Sequence, residues 1–248
     1  MLKGLNVLLA FDDTDPELTQ AELARRTGYD RATVRRLCLS LVEAGFAVQS
    51  SRGFRLSPRV LMLAGSYLRA NDFGYSLQPI LNENSLSIER DLSVAVLDGD
   101  RALLIAQSQV PEARISFGLT VGSTLPLLPT ATGRMLLTTL PQSEQQTLLE
   151  QLPMKRYTQT TCNDISELKA HLQRISVAQA AVVTGEFEVD ICGLAVPITS
   201  NGRTVAVVGT SFPAKTPKLK MSIENTLNQL RSTARQLSAL RFFREGYA

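Results

Sequence analysis

The chain has 248 residues, 44% of them hydrophobic, so it can bury the core of one large domain or of two modest ones. It has no apolar run of about 18 residues and no basic region followed by an apolar stretch, so we expect a cytoplasmic protein with no membrane partner. The net charge of +3 is small for a nucleic-acid binder, and its distribution is therefore more informative than its sum.

Residues 1–57 have the pattern of a winged helix-turn-helix. The run Thr19-Gln-Ala-Glu22 matches a capping box and begins a second helix. Gly28 allows a tight turn, and Asp30 is a suitable N-cap for a third helix. Two helices that meet at such a turn can place the later one in the major groove of DNA. Leucines at helical spacing predict an amphipathic helix before them, at Leu2, Leu5, Leu8 and Leu9.

A hairpin is predicted directly after the third helix. Gly45 can end that helix in a left-handed conformation. Strand-like segments at residues 46–49 and 54–56 then flank a turn that carries Arg52 near its tip. Such a hairpin can contact the DNA backbone beside the helix in the groove. The apolar face of the third helix is formed by Val34, Leu37, Leu41 and Ala44.

Positive charge is concentrated in this region. Eight arginines between Arg25 and Arg59, with one aspartate and one glutamate, give a local charge of +6. This charge suits a surface that faces phosphates, and a solvated charged face is the alternative. For Arg25 and Arg26, a simple surface role is a further alternative. Arginine can bind guanine or phosphate, threonine and alanine can contact a thymine methyl group, and a helix start can hold a phosphate. The predicted DNA contacts are Thr19, Gln20, Arg31, Ala32, Thr33, Arg35, Arg36 and Arg52.

The rest of the chain is predicted to form a linker helix and a second domain. Pro58 can begin a helix that runs to Asn71, within a linker at residues 58–75. Antiparallel hairpins flanked by helices then indicate an α+β domain over residues 76–248. Its predicted strands are 93–98, 101–107, 113–117, 193–199 and 204–212. Its predicted helices are 77–91, one from Thr130, 143–151, 165–175 and a long one from about residue 218.

A second informative segment is Leu125–Arg134, with the sequence LPLLPTATGR. Prolines and apolar residues lead there into a helix whose first turn, from Thr130 to Gly133, consists of small residues. Such a helix start offers unpaired N–H groups and the positive end of the helix dipole, so a carboxylate could dock there. Ordinary capping by threonine is the alternative explanation.

Nothing in the sequence recommends an enzyme. The commonest motifs of hydrolases, nucleotide-hydrolysing enzymes and dinucleotide-dependent oxidoreductases are absent, so we predict no catalytic residue and no cofactor. The odd number and wide spacing of Cys38, Cys162 and Cys192 favour buried free thiols over disulfides or a metal site. The one histidine, His171, lies in a polar helical stretch and is expected to be exposed to solvent.

Once both segments are placed, nearly the whole chain resembles the IclR family of bacterial transcription regulators. The likeness rests on the order and spacing of QAELARRTGYDRATVRRLCLSLVEAGF, LSPRVLMLAGSYL, VGSTLPLLPTATGRMLL, GLAVPI and NGRTVAVVGTS. The third helix and the linker are most similar to the branch that controls catabolism of aromatic acids such as protocatechuate and 4-hydroxybenzoate. The resemblance implies a winged helix-turn-helix joined by the linker helix to a GAF-like effector-binding domain. It also implies a dimer or tetramer that binds palindromic operators.

The resemblance further implies where an effector binds. In the family, the small-residue helix start holds the effector's carboxylate, and later strands close the pocket. Relatives that bind small keto acids have polar side chains where this chain has Val183, Gly193 and Gly209, which favours a more apolar ligand here. The implied effector residues are Leu128, Thr130, Ala131, Thr132, Gly133, Arg134, Val183, Cys192, Gly193, Gly209 and Ser211.

The sequence therefore predicts a transcription regulator that responds to a small organic acid. The expected partners are a double-stranded DNA operator, the acid and further copies of the chain. Effector binding would change operator affinity or contact with RNA polymerase. One alternative is a constitutive DNA-binding protein whose second domain only oligomerises, and another is an enzyme with a DNA-binding appendage.

Overall fold

A computed structural model describes residues 1–11, 15–108, 119–216 and 219–244. The chain divides into two compact units, Met1–Asn71 and Asp72–Ala248. Among the described residues, no helix is both long enough and apolar enough to span a membrane.

The N-terminal unit is a winged helix-turn-helix on a small apolar core. Its elements are α1 (Leu2–Leu9), α2 (Gln20–Thr27), α3 (Arg31–Glu43), β1 (Ala47–Gln49), β2 (Phe54–Leu56) and α4 (Val60–Ala70). Helices α1 and α2 both contact α3, and β1 pairs antiparallel with β2. The core side chains come from α1, α2, α3, β2 and the segment before α2: Val7, Leu18, Leu23, Val34, Cys38 and Phe54.

Local capping sets the geometry of the helix-turn-helix, as predicted. The Thr19 side chain accepts a hydrogen bond from the Glu22 N–H, and the Glu22 carboxylate accepts one from the Thr19 N–H, which completes the capping box of α2. Gly28 takes a left-handed φ of 72° and ends α2. The Asp30 side chain then caps α3 by accepting from the N–H of Thr33.

The wing is fastened to the segment that precedes α2. Leu18 and Phe54 form an antiparallel bridge, with a hydrogen bond from each backbone N–H to the other carbonyl. This approach needs a glycine beside it, because a Cβ built on Gly53 would lie 2.2 Å from the Leu18 carbonyl oxygen. The wing therefore has a fixed origin next to the start of α2.

The C-terminal unit is an α+β domain built on one antiparallel sheet. The sheet has six strands in the order β5-β4-β3-β8-β7-β6. The strands are β3 (Ser93–Asp98), β4 (Arg101–Gln107), β5 (Thr124–Pro126), β6 (Ala181–Thr184), β7 (Ile191–Ser200) and β8 (Arg203–Pro213). The helices are a π-helix at Phe73–Leu77, then α5 (Gln78–Ile88), α6 (Ala131–Leu137), α7 (Gln142–Gln151), α8 (Ile165–Ala178), α9 (Leu219–Ser238) and α10 (Arg241–Arg244).

Helices cover both faces of this sheet. On one face, α6 and α8 share an apolar cluster with the strand residues Ala95, Ala195 and Val207. Side chains alternate along a strand, so the neighbouring Leu194 and Val208 point to the other face, where α9 contacts β7 and β8 and also packs on α5. The start of α6 therefore lies directly over the sheet.

Most predicted elements of this unit form, with a few differences. One helix was predicted over residues 77–91, but α5 ends at Ile88 because Glu89 takes a left-handed φ of 56°. Strands β5 and β6, the π-helix and α10 were not predicted. The strand predicted at residues 113–117 lies outside the described residues. The three cysteines are free, and Cys38 and Cys192 are buried as predicted, whereas Cys162 is half-buried.

Candidate DNA-binding surface and effector cavity

One face of α3 carries the predicted base-reading residues. Arg31, Arg35 and Arg36 are exposed, whereas Val34 and Cys38 on the opposite face belong to the core. The exposed face includes a shallow groove lined by Ala32, Arg35, Arg36, Leu39, Ser40 and Glu43. Helix α3 thus presents three guanidinium groups and small side chains to solvent, a set that can read base edges and bind phosphates.

Three predicted DNA contacts use their side chains within the domain. Thr33 donates its N–H and its hydroxyl to the Asp30 carboxylate, each at 2.8 Å, and these two bonds lower the pKa of Asp30. Gln20 Nε2 donates to the carbonyl of Arg31 at 2.6 Å, which ties α2 to the start of α3. The Thr19 hydroxyl donates to the capping-box glutamate at 2.7 Å. These side chains orient the two helices, and any bond to DNA would be additional.

Arg52 projects from the wing into solvent. Its side chain is 86% exposed and lies 3.5 Å from the carboxylate of Glu17, which also accepts a hydrogen bond from the Ser50 hydroxyl. An exposed ion pair of this kind contributes little, about 0–1 kcal/mol. Arg52 can therefore exchange Glu17 for a phosphate at small cost.

A cavity of about 220 Å³ lies at one end of the C-terminal sheet, beside the start of α6. An apolar cavity of roughly 150 Å³ can bind benzene, so this volume suffices for one substituted ring. Its apolar lining among the described residues is Leu92, Leu104, Leu119, Leu125, Pro129, Ala131, Val183, Phe187, Ile191 and Gly193. Its polar lining is Asp91, Ser93, Gln107, Thr130, Thr132, Glu186, Glu188, Thr210 and Ser211.

The cavity brings together six of the predicted effector residues, namely Thr130, Ala131, Thr132, Val183, Gly193 and Ser211. Leu128 instead lines a smaller neighbouring cavity. Cys192 alternates with Gly193 along β7 and so faces away from α6. Gly209 lies where strand and helix meet closely, since a Cβ there would be 3.1 Å from the Thr132 hydroxyl. Gly133 and Arg134 lie behind the helix start rather than on the cavity.

The first turn of α6 is arranged to leave donors near the cavity. Thr130 caps the helix: its hydroxyl accepts from the N–H of Gly133 at 3.0 Å and donates to the Pro126 carbonyl at 2.7 Å. The N–H groups of Ala131 and Thr132, which have no acceptor within the helix, are then the ones a ligand can meet. Across from them, Gly193 has no side chain, and a Cβ there would lie 3.4 Å from that of Ala131. The glycine therefore keeps the space beside the helix start open.

Arg134 is a buried structural cation rather than a group on the cavity surface. Its side chain is only 2% exposed. It donates to both carboxylate oxygens of Glu186, at 2.8 and 2.6 Å, and to the Leu128 carbonyl at 2.6 Å. The same Glu186 carboxylate accepts from the N–H of Cys162. The ion pair thus joins α6 to the segment between β6 and β7, which forms one wall of the cavity.

His171 completes this buried network, and the prediction that it is exposed to solvent is wrong. It is half-buried, and its Nδ1 lies within hydrogen-bond distance of a guanidinium N–H of Arg134. Burial and the positive charges of Arg134 and Arg174 lower its pKa, more than Glu186 and Glu167 raise it. The neutral imidazole, which can accept the Arg134 hydrogen bond, is therefore the form that the fold favours.

This arrangement predicts a pH effect. A depressed pKa in the folded state stabilises the fold above the ordinary pKa of 6.5, and that stability is lost as the pH falls towards the lower folded value. We expect the melting temperature of the wild type to fall more steeply between pH 7 and 5 than that of His171→Asn, whose amide can still accept from Arg134. Parallel curves for the two proteins would contradict this account. The comparison isolates one group, because the sequence has one histidine.

Several cavity residues were not predicted. Glu186, Phe187 and Glu188 lie between β6 and β7, and Asp91 precedes β3. For Thr210 there is a weak indication in the sequence of a place at the cavity, since it lies between Gly209 and Ser211, which were both predicted as effector residues. The others are brought to the cavity by strand pairing, which local sequence does not reveal.

A winged helix-turn-helix with an exposed arginine face, on the same chain as a domain that contains a ligand-sized cavity, defines a DNA-binding regulator with an effector domain. Comparison with known proteins agrees. Residues 65–239 match the bacterial transcriptional regulator IclR C-terminal family, and residues 2–51 match the IclR helix-turn-helix domain. The chain therefore belongs to the IclR family of transcriptional regulators.

Individual relatives refine this result. The chain is 34% identical to the Pca regulon regulatory protein of Pseudomonas putida, over 85% of this chain and 73% of that protein. It is 29% identical to the p-hydroxybenzoate hydroxylase transcriptional activator of Acinetobacter baylyi, over 97% and 90%. A crystal structure of an IclR homolog from Microbacterium hydrocarbonoxydans with 4-hydroxybenzoate has a TM-score of 0.75 at 22% identity, covering 98% of each chain, which shows a shared fold.

These comparisons confirm several predictions. The family, its aromatic-acid branch and the α+β architecture with an N-terminal winged helix-turn-helix are as predicted. The relatives are named as transcriptional regulators, so the chain is a regulator and not an enzyme.

Proposed function

We propose that this regulator binds an aromatic carboxylate in the cavity beside α6 and that occupancy changes its affinity for a DNA operator. The observation that carries the proposal is the cavity itself, a largely apolar space of about 220 Å³ that is lined by Ala131 and Thr132, the two residues whose N–H groups have no acceptor within the helix. The apolar walls suit a ring, and the helix start suits a carboxylate. The ligand of the Microbacterium relative has this chemistry.

Coupling to DNA requires that the ligand bind two states of the protein unequally. A ligand shifts an equilibrium only by its difference in affinity for the two states. The proposed ligand touches the start of α6 and the β6–β7 wall, two elements that the Arg134–Glu186 pair holds together. We expect ligand binding to change the structure at this junction, and this change would alter operator affinity or contact with RNA polymerase.

The ligand half of the proposal is tested by filling the cavity. A Cβ at Gly193 makes only ordinary contacts, 3.4 Å from the Ala131 Cβ, so Gly193→Ala should fold and still bind. Gly193→Val should fold too but occupy the space beside the helix start. We expect 4-hydroxybenzoate and benzoate to raise the melting temperature of the wild type and Gly193→Ala, and not that of Gly193→Val. A panel of aromatic acids without effect on the wild type would refute the proposal.

The DNA half is tested on α3. Arg35→Ala and Arg36→Ala should each weaken binding to an operator selected from a random duplex pool by roughly five- to a hundredfold, since a specific arginine contact contributes about 1–3 kcal/mol. Both side chains are exposed, so the variants should melt like the wild type. The matched control is Arg203→Ala, an exposed arginine at the start of β8 in the other unit. Unchanged affinity in both variants and in the double variant would remove α3 from the DNA interface.

We further propose that a second copy of the chain covers an apolar surface of the N-terminal unit. Helix α4 has no buried residue although its sequence is VLMLAGSYLRA. Side chains of α1 and α4 are exposed by 47–81%: Leu2, Leu5, Leu9, Leu61, Met62 and Leu63. Contiguous exposed apolar surface marks interaction sites, and Leu61, Met62 and Leu63 follow one another on α4. Sedimentation of the wild type should give a dimer or tetramer, and Leu61→Glu should shift it towards smaller species; a wild-type monomer would contradict the proposal.

A further inference from the structure

Three carboxyl side chains line the effector cavity: Asp91, Glu186 and Glu188. Within the described part of the lining there is no lysine or arginine. A cavity for an anion is thus bordered by acidic groups. The surroundings of each group decide whether it can accept a hydrogen bond from a ligand.

The charge of Glu186 is already balanced. Both of its oxygens accept hydrogen bonds from Arg134, and one also accepts from the N–H of Cys162 at 2.8 Å. A bidentate charge-assisted pair of this kind leaves the carboxylate little need of a ligand donor. Glu186 therefore stabilises the wall of the cavity rather than binding the ligand.

Glu188 and Asp91 have no such cation beside them in the described structure. Asp91 accepts a long hydrogen bond of 3.5 Å from the Ser108 hydroxyl. Within the described residues, no side-chain bond to the Glu188 carboxylate occurs, and burial raises the pKa of both acids. Glu188 follows Phe187, whose ring lines the cavity and packs against Tyr157 at 5.2 Å between centroids. Glu188 thus offers an unused acceptor beside an aromatic wall.

Two consequences follow from elementary electrostatics. A hydrogen bond from a ligand hydroxyl to a partly buried carboxylate favours ligand binding, because a bond to a charged acceptor is stronger than one between neutral groups. A second ligand carboxylate at the same place would be repelled by the like charge of Glu188 and Asp91, which are partly removed from water. The cavity should therefore separate hydroxylated acids from diacids of nearly the same shape.

We propose that Glu188 determines the ligand specificity of the cavity by accepting a hydrogen bond from a ring hydroxyl of the effector, and that Glu188 and Asp91 together exclude effectors with a second carboxylate. The proposal rests on the proposed effector site beside α6. It adds the residue that distinguishes among aromatic acids.

The test compares three ligands by isothermal titration calorimetry: benzoate, 4-hydroxybenzoate and benzene-1,4-dicarboxylate. For the wild type, we expect 4-hydroxybenzoate to bind roughly tenfold or more tightly than either of the others, the factor expected for one hydrogen bond to a charged group. In Glu188→Gln, the affinity of 4-hydroxybenzoate relative to benzoate and its affinity relative to the diacid should each fall at least about threefold, because the amide accepts more weakly and no longer repels the diacid. Asp91→Asn should lower the affinity of 4-hydroxybenzoate relative to that of the diacid.

The matched control is Glu83→Gln, the same change at an exposed position on α5 outside the cavity lining. It should keep the wild-type ratios. Equal wild-type affinities for the three ligands, or unchanged ratios in Glu188→Gln, would overturn the role of Glu188 while leaving the aromatic effector site intact. No binding of any of the three to the wild type would instead refute the proposed function.

Discussion

Replacing Arg134 by methionine is expected to destabilise the C-terminal unit by about 3–5 kcal/mol, since removing one partner of a buried ion pair leaves the other charge uncompensated. The side chains of Arg134 and Glu186 are 2% and 13% exposed, so water cannot easily replace the lost partner. For a domain of this size the loss corresponds to roughly 6–20 °C in melting temperature, which calorimetry or circular dichroism can measure.

A second variant separates this stability effect from a direct role in ligand binding. Arg134→Met combined with Glu186→Leu removes both charges, and we expect it to be more stable than Arg134→Met alone. The exposed pair Lys215–Asp190 provides the control, because Lys215→Met should cost less than about 1 kcal/mol. An Arg134→Met protein that melts like the wild type but no longer binds aromatic acids would place Arg134 in the ligand site after all.

The second large effect is expected for Gly133→Ala. Helix α6 passes so close to the preceding segment that a Cβ at Gly133 would lie 2.3 Å from the Cα and 2.4 Å from the carbonyl oxygen of Leu127. A methyl group can be accommodated there only by moving backbone. We expect a loss of at least about 3 kcal/mol, the upper end of the usual cost of overpacking, and loss of ligand binding as the helix start shifts.

The comparison with Gly193→Ala makes this expectation specific. Both glycines belong to the same domain and lie near the same helix start, but a Cβ fits at Gly193 and not at Gly133. Thermal melts of the two variants should therefore differ by several degrees or more. Similar stabilities would mean that α6 can move away from Leu127 at little cost.

The N-terminal unit could be predicted closely because its signals are local. Thr19 with Glu22, and Asp30 with Thr33, lie within one helical turn of each other, so the sequence itself displays the caps that begin α2 and α3. Strands β5 and β6 lie at the two edges of the sheet and have three and four residues, too few for an alternating pattern to emerge. They exist because longer neighbours pair with them.

The candidate cavity could be predicted only in part for the same reason. The segment from Thr130 to Thr132 is visible as a helix start, and it does line the cavity. The partner of Arg134 is 52 residues away, so the sequence alone cannot show that its charge is already used. An arginine four residues into such a helix therefore suggested a ligand contact, where the fold makes it an anchor for the cavity wall.

The exposure of the α3 arginines and the burial of the start of α6 predict that the two proposed binding reactions differ in their dependence on ionic strength. Contacts between exposed arginines and phosphates release counterions, so operator affinity falls steeply as salt rises. The helix start beside the cavity is formed by the buried residues Thr130, Ala131 and Thr132, and interactions of buried groups are screened less. We therefore expect the protein to dissociate from its operator at salt concentrations at which an aromatic acid still binds to the cavity.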